Sequence, residues 1–164
     1  MNKKIVWCLS IITIITMTSC GNMKESVPAE TVVPVTEDAT QDDIKKQLGD
    51  AANSETNKNS GITANGYENS KFAGYNGQLS FYYDADGSVL YYKWFITEKD
   101  EKKAREIYSD ICQALSGSYG DGEENNSEAS GLYTTSFTND KQQITAQLQK
   151  ANDSGYEISY MVVG

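Results

Sequence analysis

The sequence predicts an α+β fold: an antiparallel five-stranded sheet with one helix packed on one face, in the order ββαβββ, a two-layer sandwich. Three observations predict it. An Asp-Gly pair separates two alternating apolar runs, a stripe of apolar residues at helical spacing follows, and strand-like runs close the chain.

Residues 78–84 and 89–96 flank Asp86-Gly87, the strongest short hairpin signal, because both central residues of a type I′ turn need positive φ. Two-residue closure fixes the register. Leu79 then faces Trp94, Phe81 faces Tyr92 and Tyr83 faces Leu90 on the core side, while Tyr82 faces Tyr91, Ser80 faces Lys93 and Gln78 faces Phe95 on the other. Gly74 and Gly77 suggest a bend or bulge ahead of the first strand.

Thr97 is placed to cap a helix, with Asp100 in the reciprocal position, and Ala104, Ile107, Tyr108, Ile111, Ala114 and Leu115 recur at helical spacing up to a stop at Gly117. Cys112 sits at the edge of that stripe as a small packed hydrophobe. Residues 119–131 are acidic, glycine-rich and without pattern, which reads as a loop. Beyond them, residues 132–138 and 141–149 flank Asn139-Asp140, a second tight hairpin pairing Tyr133 with Ala146, Thr135 with Ile144 and Phe137 with Gln142. The last strand, residues 156–162, turns Tyr156, Ile158, Tyr160 and Val162 inward. No internal repeat is visible.

The other informative stretch is the beginning. Lys3 and Lys4 precede an apolar run over residues 5–17, which ends on Thr18-Ser19-Cys20-Gly21, the order of an export signal. The ending resembles the lipobox of bacterial lipoprotein signal peptides, with Met17 where that family usually carries Leu. The resemblance covers residues 1–21 and implies cleavage after Ser19, with Cys20 as the mature N-terminus and the site of lipid attachment. It also implies a protein held by fatty chains on the cell membrane and facing away from the cytoplasm, or on the outer membrane of a two-membrane cell. The apolar run is shorter than the roughly 20 residues of a membrane span.

Residues 20–66 read as the lipidated N-terminus and a disordered tether, leaving a small domain at 67–164. Ser, Thr, Asn, Asp, Glu and Lys dominate the tether, and Pro28 and Pro34 are the only two prolines of the chain. Such a composition buries too little apolar surface to offset its ordering entropy. Coil scaling gives it a mean span of roughly 35–40 Å. Within it, residues 42–49 have the pattern of two helical turns ending at Gly49, marginal in isolation.

Composition excludes several function classes. The net charge of −9 becomes −11 once the leader takes away Lys3 and Lys4 with no acid. A chain so acidic is a poor partner for phosphate backbones, so nucleic-acid binding is not expected and membrane contact falls to the lipid. The chain has no His, which removes the commonest general base and the usual transition-metal ligand. After loss of Cys8 and modification of Cys20, only Cys112 of the three cysteines remains, too few for an internal disulfide. Arg105 reads as part of a solvated helix face, and no phosphate-binding glycine motif or cofactor motif is present.

Asp84-Ala85-Asp86-Gly87-Ser88 looks like the start of a calcium loop, yet Phe95 stands where the bidentate Glu belongs, so it reads as a turn. Asp121, Glu123, Glu124 and Glu128 could gather a hard cation only weakly, and no metal is expected. What stands out is the aromatic content of the sheet face away from the helix. Tyr82, Tyr91 and Phe95, with Lys93 beside them, form a candidate ligand-binding strip for a surface protein or a glycan. The expected function is therefore a non-catalytic binding module on an anchored domain. The alternatives are a carboxylate-dependent, glycosidase-like hydrolase of envelope polymers and a structural accessory subunit of a membrane complex.

Overall fold

The computed structural model describes residues 38–138, 142–151 and 155–163. Its elements run α1 (Gln41–Leu48), β1 (Asn53–Thr56), β2 (Thr63–Phe72), β3 (Tyr75–Tyr83), β4 (Val89–Glu98), α2 (Glu101–Tyr119), β5 (Glu123–Ser127), a short 3₁₀ turn (Glu128–Ser130), β6 (Leu132–Thr138), β7 (Gln143–Ala151) and β8 (Gly155–Val163). The strands form one antiparallel sheet of eight in the order β1-β2-β3-β4-β8-β7-β6-β5.

This corrects the expected five-stranded ββαβββ sandwich with a single helix. Three strands were not read from the sequence, and each lacks the signal used for the others, while α1 was read only as two marginal turns within the tether. β1 (NSET) and β5 (EENNS) are the two edge strands and are exposed along their whole length, so neither carries an alternating apolar pattern. β2 contains Asn65, Gly66 and Asn69, residues that by composition mark turns. It pairs with β3 through a register shift between Tyr67 and Ser70, where Asn69 takes φ 57°.

The sheet contains a repeat that the sequence does not show. A helix followed by a four-stranded meander occurs twice, and the two meanders join through their last strands, β4 and β8. The two helices differ in scale, which conceals the repetition. α1 has eight residues and buries Ile44, whereas α2 has 19 and buries Ala104, Ile107, Ile111 and Leu115.

All of these side chains join one cluster on one face of the sheet, with Leu79, Phe81, Tyr83, Tyr92, Trp94, Ile144, Leu148, Ile158 and Tyr160. Both helices thus cover the same face. No described helix covers the other.

The central hairpin holds the expected register over most of its length: Gln78 pairs with Phe95, Leu79 with Trp94, Ser80 with Lys93, Phe81 with Tyr92 and Tyr82 with Tyr91. Its turn is one residue longer than two-residue closure. Asp84 N–H donates to Ser88 O (3.0 Å), and Gly87 takes φ 88°, a three-residue loop with glycine in the left-handed region. A bulge at Leu90 absorbs the extra residue, so that Tyr83 pairs with Val89 and Leu90 turns out to solvent. The expected Tyr83–Leu90 core pair is therefore absent.

Similar shifts occur elsewhere. β6 and β7 pair Tyr133 with Leu148, Thr135 with Ala146 and Phe137 with Ile144, two residues from the expected register, because four residues rather than two separate the strands. Thr97 stays in β4, held by pairing with Glu157, and Asp100 caps α2 instead, accepting from Lys103 N–H at 2.8 Å. α2 runs past Gly117 and ends at Gly120, with φ 83°.

α1 is present because tertiary contact supplies what eight residues lack alone. Thr40 and Asp43 form a reciprocal capping box, Gly49 ends the helix, and Ile44 is buried against the sheet. The segment before it is pinned to the β3–β4 turn by Gln41 N–H to Gly87 O (2.9 Å) and Val89 N–H to Ala39 O (3.0 Å). Residues 38–66, read from the sequence as tether, thus contribute α1, β1 and the first part of β2. A chain starting at Tyr67 is expected to give the flat circular dichroism and collapsed NMR dispersion of an unfolded polypeptide, whereas one starting at Asp38 gives a dispersed spectrum. A dispersed spectrum from the shorter chain would contradict this placement.

Candidate binding surface

Alternation along the strands decides which side chains reach the uncovered face. On β3 these are Gln78, Ser80 and Tyr82, and on β4 Tyr91, Lys93 and Phe95, the set expected from the hairpin register. The rings of Tyr82 and Tyr91 stack across the strands with centroids 4.4 Å apart and planes 17° apart. Burial, followed by the neighbouring Tyr82, raises the Tyr91 phenol above its usual value, so it stays a neutral hydrogen-bonding group at physiological pH. The segment from Tyr67 to Tyr75 does not lie over these rings. It runs beside β3 as β2 and the β2–β3 turn.

Lys93 and Phe95 form a second group. The Lys93 ammonium pairs with Glu157 Oε1 (2.5 Å) and stands 5.5 Å from the centre of the Phe95 ring. The structure therefore brings Tyr82 to Tyr91 and Lys93 to Phe95, as two plates separated along the strands rather than one continuous strip. Lys93 is neutralised within the sheet and offers no free charge.

Each plate borders a groove. Beside the tyrosines, a groove of about 540 Å³ is lined by Glu55, Thr56, Asn57, Lys58, Ser60, Ile62, Ala64, Tyr82 and Tyr91. It exists because β2 places small residues on this face. Ala64 lies opposite Tyr82, and Gly66 has no room for a Cβ beneath the Asn53 side chain. The loop that walls it is held by Asn57, whose Oδ1 accepts from Asn59 N–H at 2.9 Å. The second groove, about 380 Å³, lies at the other end and is lined by Glu68, Asn69, Asn76, Gly77, Gln78, Phe95, Ile96 and Thr97.

Sequence reasoning missed the β1–β2 wall of the first groove and the Glu157 partner of Lys93. The run Asn57-Lys58-Asn59-Ser60-Gly61 is a turn signal, but no apolar runs flank it to suggest a hairpin.

The remaining candidate positions are ordinary structure. Ser88 donates to Asp84 Oδ1 through its N–H (2.9 Å) and to Asp86 Oδ1 through its hydroxyl (2.7 Å), so the carboxylates of the calcium-like stretch serve the turn. The Ser88 hydroxyl bond is the first cause holding Asp86 below its usual value. Glu123 and Glu124 are adjacent residues of β5 and point to opposite faces, which disperses the acidic loop, and among the described residues no three His, Cys, Asp or Glu side chains gather as a metal group would require. Glu128's side chain lies outside the described residues.

Cys112 is half-buried, and burial raises its thiol, the direction of a poor nucleophile. Arg105, expected on a solvated face, also crosses to β6. It donates to Tyr133 Oη and to Glu101 Oε1, both at 2.8 Å, with its guanidinium 4.4 Å from the Tyr133 ring centre. Cys20 and the whole leader lie outside the described residues. No helix among the described residues is long and apolar enough to cross a membrane.

No protein family, no curated protein and no solved structure matches this chain.

Proposed function

We propose that this is a membrane-anchored extracytoplasmic lipoprotein, held through lipid on Cys20, whose uncovered sheet face serves as a non-catalytic binding module for a surface protein or glycan. The observation that carries the reading is the stacked Tyr82–Tyr91 pair bordering a groove on the face that the helices leave free. Half-exposed tyrosines supply large, rigid contact area with a polar tip, the chemistry of recognition surfaces. The two grooves of this face carry one carboxylate each, Glu55 and Glu68, whereas glycosidase chemistry needs a converging pair.

The test uses the mature chain from residue 20 with Cys20→Ser, so that it is soluble, and measures its saturable binding to the cell's own envelope fraction. Replacing Tyr82 and Tyr91 together by Ala is expected to weaken binding by about tenfold or more, the loss of a central anchor. Equal binding by both proteins would contradict the open-face reading. The same Cys20→Ser change is expected to move the protein from the membrane to the soluble fraction in the cell. Unchanged sedimentation with membranes would contradict the lipid anchor.

A further inference from the structure

The open face differs in charge from the rest of the molecule. The chain is 23% charged with net −9, yet the inner positions of this face are mostly uncharged: Ser80, Thr145, Gln147, Thr134 and Ser136 are hydroxyls and amides, and Met161 lies exposed between Lys93 and Thr145. Of the charges that do occur there, Lys93 and Glu157 cancel against each other at 2.5 Å, the tyrosine groove carries Glu55 and Lys58 together, and Glu123 stands at the β5 edge. An anionic occupant is opposed by the field of the whole protein, and a cationic one finds a single carboxylate in each groove. The complementary occupant is uncharged.

The spacing of the plates adds a length. Tyr91 and Phe95 are four residues apart on one strand and one face, roughly 13 Å at the usual rise. Between them on this face lie Ser80, Lys93 and Met161, and no aromatic ring bridges the two. A protein–protein interface concentrates its apolar area in one buried centre with a polar rim. Here two separate ring surfaces each carry their own polar border, Thr56, Asn57 and Ser60 at one end, and Asn69, Asn76 and Gln78 at the other. A sugar ring presents an apolar C–H face for stacking and hydroxyls that both donate and accept, which matches amides and hydroxyls around a ring.

We infer that the occupant of this face is an uncharged glycan chain lying lengthwise along β3 and β4, with one stretch in the Tyr82–Tyr91 groove and another in the Phe95 groove. This rests on the open face being the working surface. Two stacking sites on one rigid sheet make the second contact intramolecular once the first has formed, so a chain that spans both binds more tightly than a fragment that fills one.

The experiment is calorimetric titration of the mature Cys20→Ser chain with cellohexaose and chitohexaose, their disaccharides, and polygalacturonate as the anionic counterpart. At least one hexasaccharide is expected to bind saturably, about tenfold or more tighter than its disaccharide, with no competition from polygalacturonate. Tyr91→Ala and Phe95→Ala are each expected to weaken the hexasaccharide by about tenfold, with unchanged circular dichroism, and Gln78→Ala provides a milder probe of the second groove. Absence of binding by both hexasaccharides, or equal affinity of hexamer and dimer, overturns the proposal. If no glycan binds while envelope binding still depends on Tyr82 and Tyr91, the glycan inference fails and the open-face reading stands, with a protein as partner. If envelope binding ignores both tyrosines, the open-face reading itself fails.

Discussion

Trp94→Ala is expected to lower the free energy of unfolding by about 3–5 kcal/mol, the range for deleting a fully buried large aromatic side chain. Trp94 is wholly buried at the centre of the sheet, where β4 meets β8. Its ring lies nearly parallel to Tyr160, 9° between planes with centroids 5.9 Å apart, and 5.9 Å from Phe72, so one side chain joins β2, β4 and β8. Its indole N–H donates to Ser70 O (3.0 Å), beside the register shift of β2. Truncation leaves both a cavity and a carbonyl without its donor. Urea unfolding followed by circular dichroism measures the loss. A change below about 1 kcal/mol would mean that the two meanders are not joined through this residue.

Gly77→Ala is expected to cost about 1–3 kcal/mol, although it adds one methyl group. A Cβ at this position would sit 2.5 Å from Trp94 Cε2 and Cζ2 and 2.7 Å from the Phe95 carbonyl oxygen. The ring cannot retreat, since Tyr160 and Phe72 hold its other sides. The two sites are in contact, so their effects should not add: in a Trp94→Leu background, Gly77→Ala should cost clearly less than in the native chain. Full additivity in thermal melts of the four proteins would contradict the contact. Gly77 also lines the Phe95 groove, so the same close approach that locks the core shapes one end of the open face.

The parts legible in the sequence were those where local pattern and tertiary environment agree. The β3–β4 register followed from the Asp-Gly turn and two-residue alternation, and it placed Tyr82, Tyr91, Lys93 and Phe95 on one face. The stripe of α2 identified Ala104, Ile107, Ile111 and Leu115, all buried. The turn's true length was not legible, because the Leu90 bulge restores the register that a shorter loop would have set. Polar edge strands were illegible for a related reason. β1 and β5 bury no side chain, and backbone pairing with β2 and β6 leaves no trace in residue choice. α1 was visible as two possible turns, but its buried Ile44 contact was not.

The same limits explain what was missed at the candidate surface. One wall of the tyrosine groove comes from β1 and the loop after it, a stretch whose Asn, Lys and Ser content reads as linker. Lys93 was placed correctly on its strand, but its pairing with Glu157 depends on β4 lying beside β8, a neighbour relation between strands far apart in sequence. Small residues on β2 make the groove, and nothing local marks Ala64 as its floor.

The most direct measurement is hydroxyl-radical footprinting of the anchored protein in intact envelopes, set against the purified soluble chain. Tyr82, Tyr91 and Phe95 are expected to lose labelling several-fold in the envelope, while Leu48, exposed on α1, labels equally in both. Equal labelling of the two tyrosines in both settings, with Leu48 as reference, would show that the uncovered sheet face meets no partner where the protein resides.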